Sequence, residues 1–357
     1  MKSEAKEQAT NSSRLIYLDF LRIFAVFAII MIHVAAENWY AVEARSITWN
    51  VYNAFDSIAR WGVPIFVMIS GTLFLTKEKP LSEIFKKNIL KIIVIFFFWS
   101  LIYSFWGIFK GDITNATDFF ITFFKGPGHF WFLFMIIGMY LISPLLKKII
   151  LDPKSMKYFL TLSFFFAFLI PEIIEFTKIF APPVASTLQY INDKTNISFV
   201  LGFSGYYIAG YYLAHTKFSK KCELIIYILG IVGAIATIII SAIASYYINK
   251  PTSVFYENMT VNVLAMSLAL FTFAKQHLNR DFRQKTKNTI ILLSKCTLGI
   301  YIIHLLILFM LDYFLDLNTA SFNPLFSVPI ISSIIFVISL IITIILRHTP
   351  VIKRWLV

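Results

Sequence analysis

Charge is scarce in this sequence. Of its 357 residues only 14% are Asp, Glu, Lys or Arg, against roughly 25% in an ordinary soluble domain, so a water-exposed fold is excluded. Cysteine is scarcer still. Cys222 and Cys296 sit beside predicted cytoplasmic helix ends with no metal-ligand partners at a recognisable spacing, and neither a disulfide nor a metal is assigned to them. Internal repeats, low-complexity linkers and a soluble module are not visible either, which leaves any chemistry to a membrane bundle and its loops. A cleavable leader is not expected: the first apolar segment is longer than a signal-peptide core, carries Asp19 and Arg22, and has no small-residue cleavage site behind it.

What is present is apolar. Hydrophobic residues make up 58% of the chain, Phe alone occurs 38 times, and apolar stretches recur at the roughly 18-residue length that crosses about 30 Å of hydrocarbon as a helix. The pattern predicts helices over 15–36, 58–76, 89–109, 130–147, 158–176, 198–214, 223–247, 259–275, 290–311 and 325–346. The fold class is therefore all-α, a polytopic bundle of about ten transmembrane helices spanning residues 14–357. The polar start, 1–13, reads as a disordered cytoplasmic tail. Pro64 predicts a kink in the second helix. Pro171, Glu172 and Glu175 interrupt the fifth, and the stretch from there to Asn196 has room for an interfacial or re-entrant element.

The net charge of +13 does not imply nucleic acid, because the basic residues fall in short alternate loops and form no single patch. Of 32 Lys and Arg, 24 lie in loops on one side and 6 on the other, with Arg22 and Arg60 in or beside helices. The positive-inside rule then puts both termini in the cytoplasm.

Three residues of the first helix are anomalous: Asp19, Arg22 and His33. A charge near mid-bilayer costs about 2.5–3.5 kcal/mol on insertion scales, so such residues face a cavity or a partner. Eleven residues separate Arg22 from His33, which closes three turns to within about 20° and climbs roughly 16 Å. The two share one face, Arg22 in the cytoplasmic half and His33 in the outer half. Asp19 and Arg22 alternatively form an i,i+3 pair that reaches the inner interface. His129 and His304 fall at similar outer depths, whereas His215, His277 and His348 lie at cytoplasmic ends. Imidazole is suited to proton transfer near neutral pH, and a base in the outer half suits an acceptor arriving from outside. Similar depth does not by itself bring three histidines together, and no metal is assigned to them.

Arg60 stands at the outer edge of the second helix, placed to stabilise an oxyanion, to grip an acidic glycan, or to snorkel above an aromatic belt. Ser70-Gly71 permits close helix contact. Lys86, Lys87 and Lys91 open the third helix, where they are placed to meet coenzyme A phosphates, although the positive-inside rule predicts lysines there anyway and is the favoured explanation.

In these blocks the sequence resembles the membrane acyltransferase-3 family, in particular its single-domain bacterial O-acetyltransferases. Arg22, ten residues and His33 look like the family's signature in the first helix. Asp19, Arg60 through Gly71, His129-Phe130-Trp131-Phe132-Leu133, Tyr206 to Leu213 and Gly299 to His304 resemble further family blocks in the expected order, over essentially the whole chain. One departure is Phe85-Lys86-Lys87-Asn88, where arginine-rich sequence is expected.

The resemblance implies a ten-helix bundle in which cytoplasmic acyl-CoA, acetyl-CoA by default, inserts its pantetheine arm into a channel and yields its acyl group to an extracytoplasmic hydroxyl. The acceptor is then a polysaccharide, glycolipid or similar compound, the setting a bacterial cytoplasmic membrane, and no metal is required. By this carry-over His33 is the catalytic histidine, with Arg60 and His304 beside it. Asp19, Arg22 and Ser70 face the donor and His129, Trp131 and Tyr301 the acceptor; Lys86 and Lys87, where the sequence departs from the family, are donor-facing candidates on their charge alone. A secondary transporter or flippase using the same intramembrane charges is the alternative; the one-face ladder of the first helix and the lack of a duplicated half speak for transfer.

Overall fold

The computed structural model describes residues 14–195, 197 and 202–357 of the chain; the tail expected over 1–13 and the start of the sixth expected span lie outside them. Among the described residues every regular element is helical. Nine helical stretches are long and apolar enough to cross a membrane, and they form an all-α polytopic bundle.

The chain runs α1 (Ile16–Ala36), α2 (Ile47–Ala59), α3 (Gly62–Leu75), α4 (Leu90–Lys110), α5 (Ala116–Lys125), α6 (Trp131–Leu151), α7 (Pro153–Ser163), α8 (Ile170–Phe180), α9 (Pro182–Thr195), α10 (Gly202–His215), α11 (Lys220–Tyr247), α12 (Val261–His277), α13 (Gln284–Leu315), α14 (Pro324–Arg347) and α15 (Pro350–Trp355). Several starts carry side chains suited to the unpaired N–H groups of a first turn. Ser46 accepts from Trp49 N, Asn115 from Asp118 N, and Asp152 from Ser155 N.

The second span differs from the sequence expectation. It begins at Ile47, not near 58, and breaks at Arg60–Trp61 between α2 and α3. The break falls where Pro64 acts: it has no N–H to donate to the carbonyl four residues earlier, that of Arg60, and it stands in the first turn of the new helix α3. In the fifth span a π-helical segment, Phe164–Leu169, joins α7 to α8 just before Pro171. The wider turn lets the chain continue through a proline, so the span runs unbroken from Pro153 to Phe180. The stretch beyond it is helical, α9.

α1, α3, α10 and α13 form the centre. Ala25, Val26, Ile30 and Val34 of α1 are fully enclosed, as are Ile300 and Ile302 of α13. In lipid, helices associate through close packing instead of through the hydrophobic effect, and glycine permits the closest approach. A Cβ on Gly71 of α3 would overlap the Tyr207 carbonyl oxygen of α10, and one on Gly210 would overlap that of Met68. By contrast α11 turns Ile228, Ile231, Ile235 and Ile239 outward, a lipid-facing stripe.

Both described ends of the chain lie at the lysine-rich end of the bundle. There Arg14 donates two 2.7 Å hydrogen bonds to the Asp19 carboxylate, Ser294 adds a third of 2.6 Å, and Arg347 donates to the Lys295 carbonyl at 3.0 Å. The buried Asp19 carboxylate beside Arg14 holds that guanidinium above its ordinary pKa. At the opposite end Thr319, between α13 and α14, ties the loops together. Its N–H donates to Glu37, its hydroxyl accepts from Asn38, and its carbonyl accepts from Tyr52 and Ser327.

Candidate active site

α1, the short 3-10 turn Gly128–Phe130 and α13 bring His33, His129 and His304 together. Their ring centroids are 5.2 Å apart for His33 and His304, 5.1 Å for His129 and His304, and 6.3 Å for His33 and His129. Residues far apart in sequence thus make one cluster of imidazoles, the convergence that depth alone could not establish.

Two of the three rings are held in fixed orientations. His304 Nδ1 lies 2.6 Å from the Tyr301 carbonyl and His129 Nε2 lies 3.4 Å from the Ile302 carbonyl. A carbonyl only accepts, so each of these nitrogens carries the proton and donates. His304 Nε2 and His129 Nδ1 are thereby left as lone-pair acceptors, and both are buried without a hydrogen-bond partner among the described residues. His33 differs from them. It is partly exposed, while His129 and His304 are 3% and 1% exposed. Tyr301 donates its hydroxyl to the His129 carbonyl, and Tyr103 donates to the Ile302 carbonyl at 2.9 Å, so two phenols brace the cluster.

Below the cluster a cavity of about 350 Å³ opens toward the lysine-rich end. Lys87, Lys91 and Lys295 stand among its lining residues, with Arg22, Ser70 and Asn88. Its far end is apolar and aromatic, formed by Phe66, Phe132 and Tyr301. Tyr301 joins the two regions, since the ring that lines the cavity lies 5.5 Å from His129 and 5.8 Å from His304 between centroids.

The structure sorts the donor-facing candidates. Arg22, Ser70 and Lys87 line the cavity, whereas Lys86 is exposed outside it and Asp19 is buried away from it, bonded to the lining residue Ser294. Asp19 spends its carboxylate on Arg14 and Ser294. Arg22 stands 3.8 Å from it, a looser contact than the 2.7 Å pair with Arg14. The i,i+3 pairing of Asp19 with Arg22 is therefore secondary, and the Arg22 charge is available to the cavity.

At the outer end Arg60 pairs with the buried Asp56 at 2.5 Å and lies 4.5 Å over the Tyr256 ring. Its charge acts on both His33 and Glu257. Trp131 lines a separate cavity of about 590 Å³ with Phe203, Phe255, Glu172, Glu175 and Glu257. Among the described residues no group of three His, Cys, Asp or Glu is arranged to hold a metal ion.

Sequence reading passed over Asn88, Tyr140, Lys295 and Thr297 in the cavity wall and Tyr103 beneath His129. Lys295 carried a signal, a lysine five residues inside the apolar helix expected over 290–311. Tyr103 carried none, being one aromatic among many on α4.

No curated protein and no solved structure matches the chain in comparison. The family model described as Acyltransferase domain, the acyltransferase-3 model, matches residues 15–348 of the 357. With a lysine-lined cavity whose Tyr301 packs beside a histidine cluster inside a membrane bundle, and a family match over nearly its whole length, the chain belongs to the acyltransferase-3 family and is a multi-pass membrane acyltransferase acting on acyl groups other than aminoacyl groups.

Proposed function

We propose that this acyltransferase takes an acyl group, acetyl in the first instance, from acyl-CoA entering at the lysine-rich end and transfers it to a hydroxyl of a glycan or glycolipid at the opposite face. The lysine-rich face is read as cytoplasmic from its charge, and the membrane as a bacterial cytoplasmic membrane. The observation that carries the reading is the single cavity with Lys87, Lys91, Lys295 and Arg22 in its wall and Tyr301, a neighbour of the three histidines, at its end. Cations and Asn88 suit phosphates, a narrow passage suits a pantetheine arm, and the thioester arrives beside the imidazoles.

Each group then has a task. The acceptor oxygen attacks the thioester carbon while His33 takes its proton. The tetrahedral intermediate collapses by breaking the C–S bond, and the imidazolium returns the proton to the thiolate. While His33 is cationic, the lone pairs of His304 Nε2 and His129 Nδ1 stabilise it in a site shielded from water. Arg22 and Ser70 meet the donor arm, and Lys87 its phosphates. Trp131 offers a ring face to the acceptor. Arg60, tied to Asp56, tunes the outer rim and does not grip an acidic substrate.

Purified protein supplied with radiolabelled acetyl-CoA tests this directly. Release of free CoA, with label moving to the surface glycan or lipid fraction of the source cells, is expected. Label trapped on the protein with donor alone would indicate an acyl-histidine route instead, and neither transfer nor hydrolysis of any acyl-CoA would overturn the donor assignment.

A further inference from the structure

A second cavity at the lysine-rich end, of about 540 Å³, lies between the ends of α3 and α6. Lys77, Lys79, Lys147 and Lys148 line it, with one acidic side chain, Glu78. Among the described residues Lys77, Lys147 and Lys148 have no carboxylate partner. Lys147 instead donates to the Lys77 carbonyl at 2.9 Å, which fixes the two chain segments beside each other. Lys79 donates to Asn88 at 3.3 Å and lies 4.3 Å over the Phe74 ring. Burial holds the Lys79 ammonium below its ordinary pKa; Glu83 opposes the shift and the charges of Lys77 and Lys87 add to it.

The positive-inside rule accounts for lysines at helix ends. It does not account for four of them converging on one cavity without matching carboxylates. The cavity is also distinct from the donor passage. Phe74, in its wall, stacks at 4.6 Å on Tyr140, which lines the passage on the other side. Apart from Ser143 the remaining wall is apolar: Leu75, Ile84, Pro144 and Leu151 line it, and Leu151 is 75% exposed. Along α6 the lipid-facing row continues through Leu145 and Leu141. An occupant must therefore be an anion at one end and hydrocarbon at the other.

We propose that this cavity is a binding site for the phosphodiester headgroup of an anionic phospholipid, held by Lys77, Lys79, Lys147 and Lys148, with its acyl chains lying along the exposed leucines of α6. The lipid would brace the α3 and α6 ends against each other, next to the wall of the donor passage. Charge complementarity favours phosphatidylglycerol over the zwitterionic phosphatidylcholine, since each lysine near such a headgroup adds to the attraction.

The test uses the whole protein, purified in detergent and titrated with phosphatidylglycerol or phosphatidylcholine under native mass spectrometry, with acyl-CoA turnover measured in parallel. Lys77→Gln/Lys148→Gln changes two exposed residues outside the donor passage, so folding and the acyl-CoA KM should stay as in the wild type. Phosphatidylglycerol should remain bound to the wild type and phosphatidylcholine should not, and the double variant should bind phosphatidylglycerol roughly tenfold more weakly. Equal retention of both lipids, or undiminished phosphatidylglycerol binding by the variant, would overturn the proposal. Displacement of phosphatidylglycerol by millimolar inorganic phosphate would show that the acyl chains add nothing, make it a free-phosphate site and overturn the proposal. A raised acyl-CoA KM with unchanged lipid binding would give the lysines to the donor.

Discussion

The imidazoles of His33 and His304 stand 5.2 Å apart between ring centroids, His33 partly exposed and His304 enclosed with its Nε2 unpartnered. At that separation the His33 ring can turn to share a proton with His304 Nε2. In the proposed mechanism His33 meets the substrates while His304, anchored through Nδ1 to the Tyr301 carbonyl, answers its charge. Residues that act as one unit are not additive. His304→Ala should lower turnover by roughly tenfold or more with the acyl-CoA KM unchanged, and His33→Ala/His304→Ala should be no slower than His33→Ala alone. Effects that multiply in the double variant would mean that the two histidines act separately.

Arg22 lines the cavity proposed for the donor, and Asp19 already has Arg14 and Ser294 as partners. Arg22→Ala should therefore leave the fold intact, as read from its melting temperature in detergent, and raise the acyl-CoA KM by about tenfold or more, the worth of a hydrogen bond to a charged group. Arg14→Ala should do the opposite, lowering the melting temperature because it takes the bidentate partner from a buried carboxylate. Normal donor use by Arg22→Ala would leave the residue with only its loose contact to Asp19.

Gly71 and Gly210 set how closely α3 and α10 approach. A methyl group at Gly71 meets the backbone of Tyr207, which cannot move alone. Gly71→Ala should cost about 1–3 kcal/mol of stability, seen as an earlier thermal transition of purified protein. Gly138, whose Cβ would meet nothing within 4 Å, is the control, and Gly138→Ala should melt as the wild type does.

Glu37, just past the end of α1, accepts from Thr319 N at 3.0 Å, and burial raises its pKa to about 7 despite that bond. A carboxyl with a folded pKa above its unfolded value of about 4.3 binds more protons in the folded state between those two pH values. Its effect is to lower stability as pH rises from about 4.3 to 7, and the full penalty stands above pH 7. Glu37→Gln keeps an acceptor for Thr319 and removes the charge. The variant should gain on the wild type across that window and be about 1–2 kcal/mol more stable at pH 8, a figure reduced for solvent screening at this partly exposed group. A difference that does not change with pH would show that Glu37 does not titrate there.

The membrane fold was legible because long apolar runs have few other homes, and loop charges marked which helix ends lie together. The break at Arg60–Trp61 was legible only in part: Pro64 marked a disturbance at the carbonyl four residues earlier, but nothing local says whether a proline begins a helix or bends one. The spacing of Arg22 and His33 placed both on one face of α1. Which residues meet that face is set by packing: the contact of His129 with His304 depends on how the turn before α6 seats against α13, and no period in the sequence encodes it. Asp19 shows the same limit. Its i,i+3 neighbour was visible, but its stronger partners are Arg14, five residues earlier, and Ser294 on a distant helix.

The most direct measurement is acyl transfer by His33→Ala, made beside acetyl-CoA binding to the same purified variant. A hydroxyl is a weak nucleophile until a positioned base takes its proton, and such help is typically worth about 10² to 10⁴ in rate. The account predicts at least a roughly hundredfold loss of transfer with acetyl-CoA binding unchanged, because Arg22, Ser70 and Lys87 are untouched at the other end of the passage. Transfer at the wild-type rate by His33→Ala, with donor bound normally, would contradict it.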